Sequence, residues 1–579
     1  MLVTAALLGL MGALAGTEAG IEAVAQRVGS EPLAGLYART YASLCERVEP
    51  SGYFEESITG AYGGMFPRTV GGLVSLFVET GDEELARRVV EVVLRAAAAN
   101  EMERAPHVMG RPVVENCPVA NGHEVVQAEH PIALYRLDAA KGYGGAQEFV
   151  APEKPIVAVE AWLSGRGAGV VRAFITASRD SDEKLAEAQV PLEHLSAAGS
   201  WVRFEFGQPV RLTPGKRYVV HLRAEGEGVP AWWGLEQAEG HPLAGAYARD
   251  LEHSRDGWIN HPEHATAFAL DTGALRHTQR TVYPVLCRAD QIDGTFHVLL
   301  AWALVALHWP DQRWEDETWA QVARMTDVAT DWPYLTPVGQ PGTISSIFVG
   351  LVHNFCLEHS REGRFWDCWD ILTQAFACQA LRLLSRVAER RGDSVHAARW
   401  RAVYTQVERM VEERLTWEYE GHSLYAEMRL PDGGAGRIFP GLSWVNLAPV
   451  AAQWEGVNRQ RLRDTINFLR EKAAFQWRGH RLMGCEWTSN GTVAQAVIGK
   501  QVGWEIVYSL QEGELSRVCE LLDFVKEANT APLYAEAFWP TAADEQMGQS
   551  DPGNGEQCSW WCWAMAKVRR AAGLTARPQ

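Results

Sequence analysis

The stretch EHSREGRFWDCWDILTQAFACQALRLLSRVAERRG, residues 358–392, decides how the rest of the chain is read. Its second half is a long amphipathic helix. Its first half gathers two carboxylates (Glu358, Glu362), two arginines (Arg361, Arg364) and three aromatic rings (Phe365, Trp366, Trp369) just ahead of that helix. An acid, guanidinium groups and flat apolar rings beside a helix N-terminus suit a pocket that grips a polyol ring and protonates its leaving group. The plain alternative is a solvated loop in which Glu and Arg pair at the surface.

Two further stretches have the same texture. In RADQIDGTFHVLLAWALVALH (288–308), Ile292, Phe296, Leu299, Leu300, Ala303, Leu304 and Leu307 form one apolar stripe, and Asp290 and Asp293 stand at the helix entrance. Asp290 as N-cap with Asp293 at the third helical position is a capping box with Asp in place of Glu. The functional reading has Asp293 and Gln291 hydrogen-bonding sugar hydroxyls. In LYAEAFWPTAADEQMGQSDPGNGEQCSWWCWAM (533–565), Glu536, Asp544, Glu545, Asp551 and Glu556 mix with Trp539, Trp560 and Trp561 ahead of a C-terminal helix. A solvated acidic loop is the alternative there.

Outward from these stretches the pattern is helical over 31–49, 72–100 and most of 290–572. Helix candidates are 290–308, 314–330, 344–356, 367–391, 394–416, 441–454, 458–474, 492–510, 514–528 and 556–572. Some joints are tight, such as those around Gly392 and Gly513; others are long and rich in Gly, Trp and acids. Paired antiparallel helices with short turns at one end and long loops at the other predict a mainly α molecule, an (α/α)6 toroid. Between 121 and 237 the period switches to two, in IVAVEAWLSG, VVRAFITAS, WVRFEFGQPVRL and RYVVHLRAEG, with Val202, Phe204 and Phe206 facing one way. That predicts an inserted β-sandwich, similar to the jelly-roll modules of carbohydrate-active enzymes. The toroid then spans 29–120 and 238–579. Trp232 and Trp233 suit either a glycan or the end of a strand.

Composition narrows the partners. The chain has 579 residues and a net charge of −18, which argues against nucleic-acid or anionic-membrane partners. Its 23 tryptophans, many in polar company, fit either core packing or the stacking of sugar rings. Ten scattered cysteines show no metal spacing and no disulfide framework; Cys558 and Cys562 fit one buried helix face. No metal or cofactor is expected, and the expected partner is a carbohydrate substrate; nothing bears on oligomeric state. Residues 1–16, within the 1–28 lead-in, read as a secretory leader or as a buried first helix. The first reading places the protein in the periplasm or outside the cell, the second in the cytoplasm. No later segment has the length and hydropathy to cross a bilayer.

Together YGGMFPRTVGG (62–72), DQIDGTFHVLLAWA (290–303), the 358–370 segment, LYAEAFWP and DPGNGEQ (551–557) resemble the six-hairpin glycosidase superfamily, glucoamylase-like members above all. The resemblance implies an inverting glycoside hydrolase: Glu358 or Glu362 as general acid, and Glu536, with Glu556 as competitor, as base. It also implies Arg68 and Asp293 on substrate hydroxyls, with Trp332 or Trp539 as a stacking wall; Asp290, Gln291, Arg361, Trp366 and Trp369 are further expected substrate-binding residues. The alternatives are a uronate-type lyase or unsaturated-uronyl hydrolase, drawing on Tyr62, His353 and Arg361, and a non-catalytic glycan-binding protein.

Overall fold

The computed structural model describes residues 18–100, 102–119, 132–196, 199–235, 246–249, 258–262, 264–286, 292–330, 350–356, 366–430, 436–542 and 546–578. The chain divides into two compact units. One holds residues up to 95, 103–106 and 288 onward; the other holds 96–102 and 107–287.

The first unit is built of helices: α1 (Glu18–Val28), α2 (Glu31–Arg47), α3 (Pro67–Thr80), α4 (Glu83–Ala99), α5 (Ile292–His308), α6 (Gln312–Thr330), α7 (Ile371–Arg391), α8 (Ser394–Arg414), α9 (Ala448–Ala451), α10 (Arg459–Lys472), α11 (Gly499–Gln511), α12 (Leu515–Ala528) and α13 (Gly555–Ala571). Their punctuation is local chemistry. Gly81 closes α3 at φ +85 and Gly392 closes α7 at φ +78, a left-handed turn that glycine adopts without Cβ strain. Asp370 and Asp393 then cap α7 and α8 by accepting the backbone N–H groups of Thr373 and His396.

Burial separates two kinds of helix. Helices α3, α5, α7, α11 and α13 are buried on nearly every side, whereas α8 and α10 bury one stripe. The buried set packs in succession: α3 on α5, α5 on α7, α7 on the short α9, α9 on α11, α11 on α13, and α13 on α3. Small residues permit the close approaches. A Cβ on Gly71 of α3 would lie 2.4 Å from His297 Nδ1 of α5, and one on Gly72 would lie 2.2 Å from Ser559 Oγ of α13. Aromatic rings fill the space between: His297 stacks on Phe376 at 3.6 Å, and Trp560 stands edge-on to both.

The second unit is an antiparallel sandwich of two six-stranded sheets. One sheet is ordered 265–266, 231–235, 156–164, 268–271, with 132–136 on 231–235 and 200–210 on 156–164; the other runs 258–261, 246–249, 144–150, 217–226, 169–176, 184–191. Val202, Phe204 and Phe206 point into its core while Arg203 and Glu205 face out, as the alternation predicted. This unit runs past the predicted 121–237 at both ends, because flanking strands belong to it: 113–119 pairs with 276–282, and His107–Val108 with Val285–Leu286.

The molecule is therefore mixed α and β rather than mainly α. Within the helical unit, loops read as irregular are short hairpins: 416–419 with 422–425, and 474–477 with 480–483. Their two-residue turns, Glu420-Gly421 and Arg478-Gly479, have positive φ throughout, which matches the twist of the paired strands. Three predicted helices also give way at their starts, and a fourth, 344–356, at its end. Residues 366–370 are a strand ahead of α7, Asn354–Cys356 is a strand pairing with it, and 441–443 and 493–494 are strands ahead of shorter helices. Within 366–370, Cys368, Trp369 and Asp370 are all buried, and Asp370 caps α7 from an extended conformation.

Candidate active site

Helix N-termini converge at one end of the helical unit, and each brings a polar residue in its first turn. Arg68 of α3 meets Asp293 of α5 with Nε–Oδ2 at 2.5 Å, both side chains buried. Asn354 donates to Asp293 (3.3 Å) and to Asp370 (3.0 Å), tying the start of α5 to the start of α7. Burial, and then the neighbouring Asp293 charge, hold the Asp370 carboxyl above the usual carboxylate range.

On the other side, the buried Lys500 of α11 places its ammonium 2.7 Å from Glu556 of α13 and 4.1 Å from the centre of the Trp444 ring. The start of α13 is also held by the chain near the N-terminus. The Glu56 carbonyl accepts from Gly555 N–H (2.8 Å), and its carboxyl accepts from Glu556 N–H (2.9 Å) and from the Thr69 hydroxyl. Burial pushes the Glu56 carboxyl up to about 7, against these two donors. Asp551, at φ +29, is bonded by Ser57 (2.6 Å), Thr59 and Asn554. Residues 56–59 and 551–556 are thus stitched into one frame.

Glu536 stands on that frame. It is half-buried, immediately before the strand Ala537–Pro540, and accepts from Tyr62 Oη (2.9 Å) and Ser550 Oγ (3.1 Å). Register explains the second bond, since Ala537 pairs with Ser550. Burial raises the Glu536 pKa, the two hydroxyls oppose the rise, and the charges of Asp551 and Glu556 add to it. Three residues on, Trp539 is 40% exposed. Its indole lies over Gly548, where a Cβ would come within 2.3 Å of Nε1, so one ring face is covered by backbone.

The predicted residues divide as follows. Glu536 and Glu556 are close enough for their charges to act on one another. Arg68 and Asp293 are at the same helix ends but bonded to each other. Trp369, expected to bind substrate, is fully buried and edge-on to His353 at 5.9 Å, so its ring packs in the core. Trp232 and Trp233 are likewise buried, their N–H groups bonded to the Ala267 carbonyl and to Ser164. Glu358, Arg361, Glu362, Asp290, Gln291, Trp332, the helix start at 344–349, the side chain of Trp366 and the leader at 1–16 lie outside the described residues.

Sequence reading missed Glu56 and Lys500; Asp551 it had only as one of several acids in the 533–565 stretch. A lysine in the first turn of a helix opposes the macrodipole, and that anomaly at GKQVGW (499–504) was the available signal for Lys500. Among the described residues, no group of three or more His, Cys, Asp or Glu is placed to hold a metal ion, and no helix is long and apolar enough to cross a membrane.

No protein-family model matches the chain, and no curated protein is similar to it. Solved structures of several carbohydrate-active enzymes are similar to it at low identity. One belongs to a family of metal-independent α-mannosidases, from Streptococcus pneumoniae in complex with α-1,6-mannobiose, at 12% identity over 50% of this chain and 71% of that one, with a TM-score of 0.38. Another is a rhamnosidase from Klebsiella oxytoca with rhamnose bound, at 11% identity over 81% and 97%, with a TM-score of 0.31. A bacterial glucoamylase complexed with acarbose matches at 11% identity over 51% and 43%, with a TM-score of 0.35, and sugar epimerases are also among the similar structures.

Proposed function

We propose that the protein is a glycoside hydrolase whose buried helices close into an (α/α)6 toroid, with the catalytic centre at the end where their N-termini meet. The arrangement of Glu536 carries this reading. A carboxylate that accepts two hydroxyl hydrogen bonds is fixed in orientation, and a pKa raised by burial makes it a stronger base while leaving it solvent access. Those are the requirements on the residue that takes a proton from water in an inverting reaction. Glu556 suits that role less well, because its carboxylate is bound to Lys500. The general acid in this reading is a carboxyl from the middle of the chain, Glu358 or Glu362; an inverting reaction requires roughly 6.5–9.5 Å between acid and base. Trp539 supplies a flat apolar face for a sugar ring.

The test is a panel of aryl glycosides assayed with Glu536→Gln, Glu358→Gln and Glu362→Gln. Glu536→Gln and one of the other two are expected to lose at least 100-fold in kcat while still binding saccharide. NMR of the first-formed product should show inverted anomeric configuration. Turnover unchanged in all three variants overturns the assignment. A product absorbing as an unsaturated uronate makes the protein a lyase, and saccharide binding without turnover by the unsubstituted chain makes it a binding protein.

A further inference from the structure

The outer face of the second sheet of the sandwich carries an arrangement that this reading does not use. Across three adjacent strands, Arg249, Gly144 and Arg223 are directly opposite one another: Arg249 pairs with Gly144, and Gly144 with Arg223. Directly opposed residues share a face, so both guanidinium arms leave the sheet on the same side of a position that has no side chain. A Cβ on Gly144 would sit 3.4 Å from Arg223 Cγ and 3.6 Å from Arg249 Cβ; the glycine keeps open the gap between the arms.

Neither arginine is neutralised. Arg172, one strand further along the same row, is bracketed by Glu187 (3.2 Å) and Glu225 (2.9 Å). Arg223 and Arg249 have no hydrogen bond or ion pair among the described residues, and Arg223 Nε is buried without a partner. The Arg223 guanidinium lies over the Phe174 ring, at 5.1 Å. In a chain with 72 acidic and 54 basic residues, two adjacent uncompensated guanidinium groups stand out. Burial and the nearby Arg249 hold Arg223 below its usual pKa, with Asp182 opposing, which is the mark of a cation short of an anion.

An indole borders the pair. Trp258 pairs with Arg249 at the end of the row, and its ring lies 5.5 Å from that of His221, two residues before Arg223 on the same face. Thr176 spends its hydroxyl proton on the Ser178 carbonyl (2.7 Å), so its oxygen accepts from His221 Nε2 (2.9 Å), and Nδ1 is left as a bare acceptor. His221 is therefore neutral and adds no charge to the pair.

We propose that Arg249, Gly144 and Arg223 form a cradle for the carboxylate of an acidic saccharide, a uronate residue, beside the Trp258 ring. Two planar guanidinium forks match a carboxylate's paired oxygens, and strand spacing puts the two Cα atoms roughly 10 Å apart, within reach of one group. The proposal is independent of the catalytic reading, since it concerns none of its carboxylates.

Isothermal titration of the full-length protein at low salt with trigalacturonate and with a hyaluronan tetrasaccharide tests it. At least one is expected to bind, maltotriose is not, and Arg223→Gln and Arg249→Gln should each weaken binding tenfold or more. Arg211→Gln, an exposed charge on the same unit, should leave it unchanged. Without ligand, both cradle variants should melt no lower than the unsubstituted protein, because each removes an uncompensated charge; that separates lost binding from lost folding. No binding of either uronate, equal binding of maltotriose, equal loss in Arg211→Gln, or preference for a sulfated chondroitin disaccharide over both uronates overturns the proposal.

Discussion

Glu56 shows how one residue can tie the site's chemistry to its stability. Its carboxyl is fully buried behind the start of α13, lies within reach of the charges of Glu556 and Arg47, and is pushed up to about 7 by burial. A carboxyl whose folded pKa lies above its unfolded value retains a proton that the unfolded chain gives up. Its stabilising contribution is thus complete below about 4.5 and is lost as the pH rises to about 7. The span corresponds to about 3 kcal/mol. Gln at this position accepts the same Glu556 N–H and donates to Thr69, but cannot ionise. Thermal melts between pH 4.5 and 8 should therefore show the unsubstituted protein losing more stability with rising pH than Glu56→Gln. Parallel curves for the two proteins would mean that Glu56 does not titrate in this window.

Among elements, the packing of α3 depends on two residues without side chains. Gly72 meets Ser559 Oγ and Trp560 Nε1, so Gly72→Ala forces a contact that neither backbone can easily relieve. Overpacking of this kind costs about 1–3 kcal/mol. Urea denaturation should show that loss, and Ser559→Gly in the same chain should recover part of it. The helices themselves were legible in the sequence, because glycine stops and aspartate caps mark their ends. Strands of the helical unit were not. Their turns use Glu-Gly and Arg-Gly where Asn-Gly or Asp-Gly would have signalled a hairpin, and 366–370 merges into the apolar pattern of α7. The site was half legible for a related reason. Glu536 stood out by its aromatic company, but Glu56 acts on a backbone amide 500 residues downstream, and no local pattern reports a contact of that span.

At the scale of the whole molecule, the sandwich is a candidate for independent folding. It has its own buried core, with Val159, Phe204, Val220, Trp232 and Phe268 drawn from both sheets, and a second cluster around Trp162 and Trp233. Its chain enters and leaves through strands that pair with each other, His107–Val108 with Val285–Leu286, so closing the segment requires nothing from outside it. A continuous core with adjacent ends is what lets a domain be inserted into a helical chain without being unravelled by it. A fragment spanning residues 96–287 should therefore be monomeric or weakly associating, show a β-type far-ultraviolet spectrum and melt cooperatively. Its midpoint should coincide with one of two resolved transitions in the full chain, which would not follow a two-state curve. A fragment that binds hydrophobic dye and lacks near-ultraviolet dichroism would be a collapsed state without fixed packing. That result would show that the sandwich core, for all its apolar burial, needs the helical unit to fold.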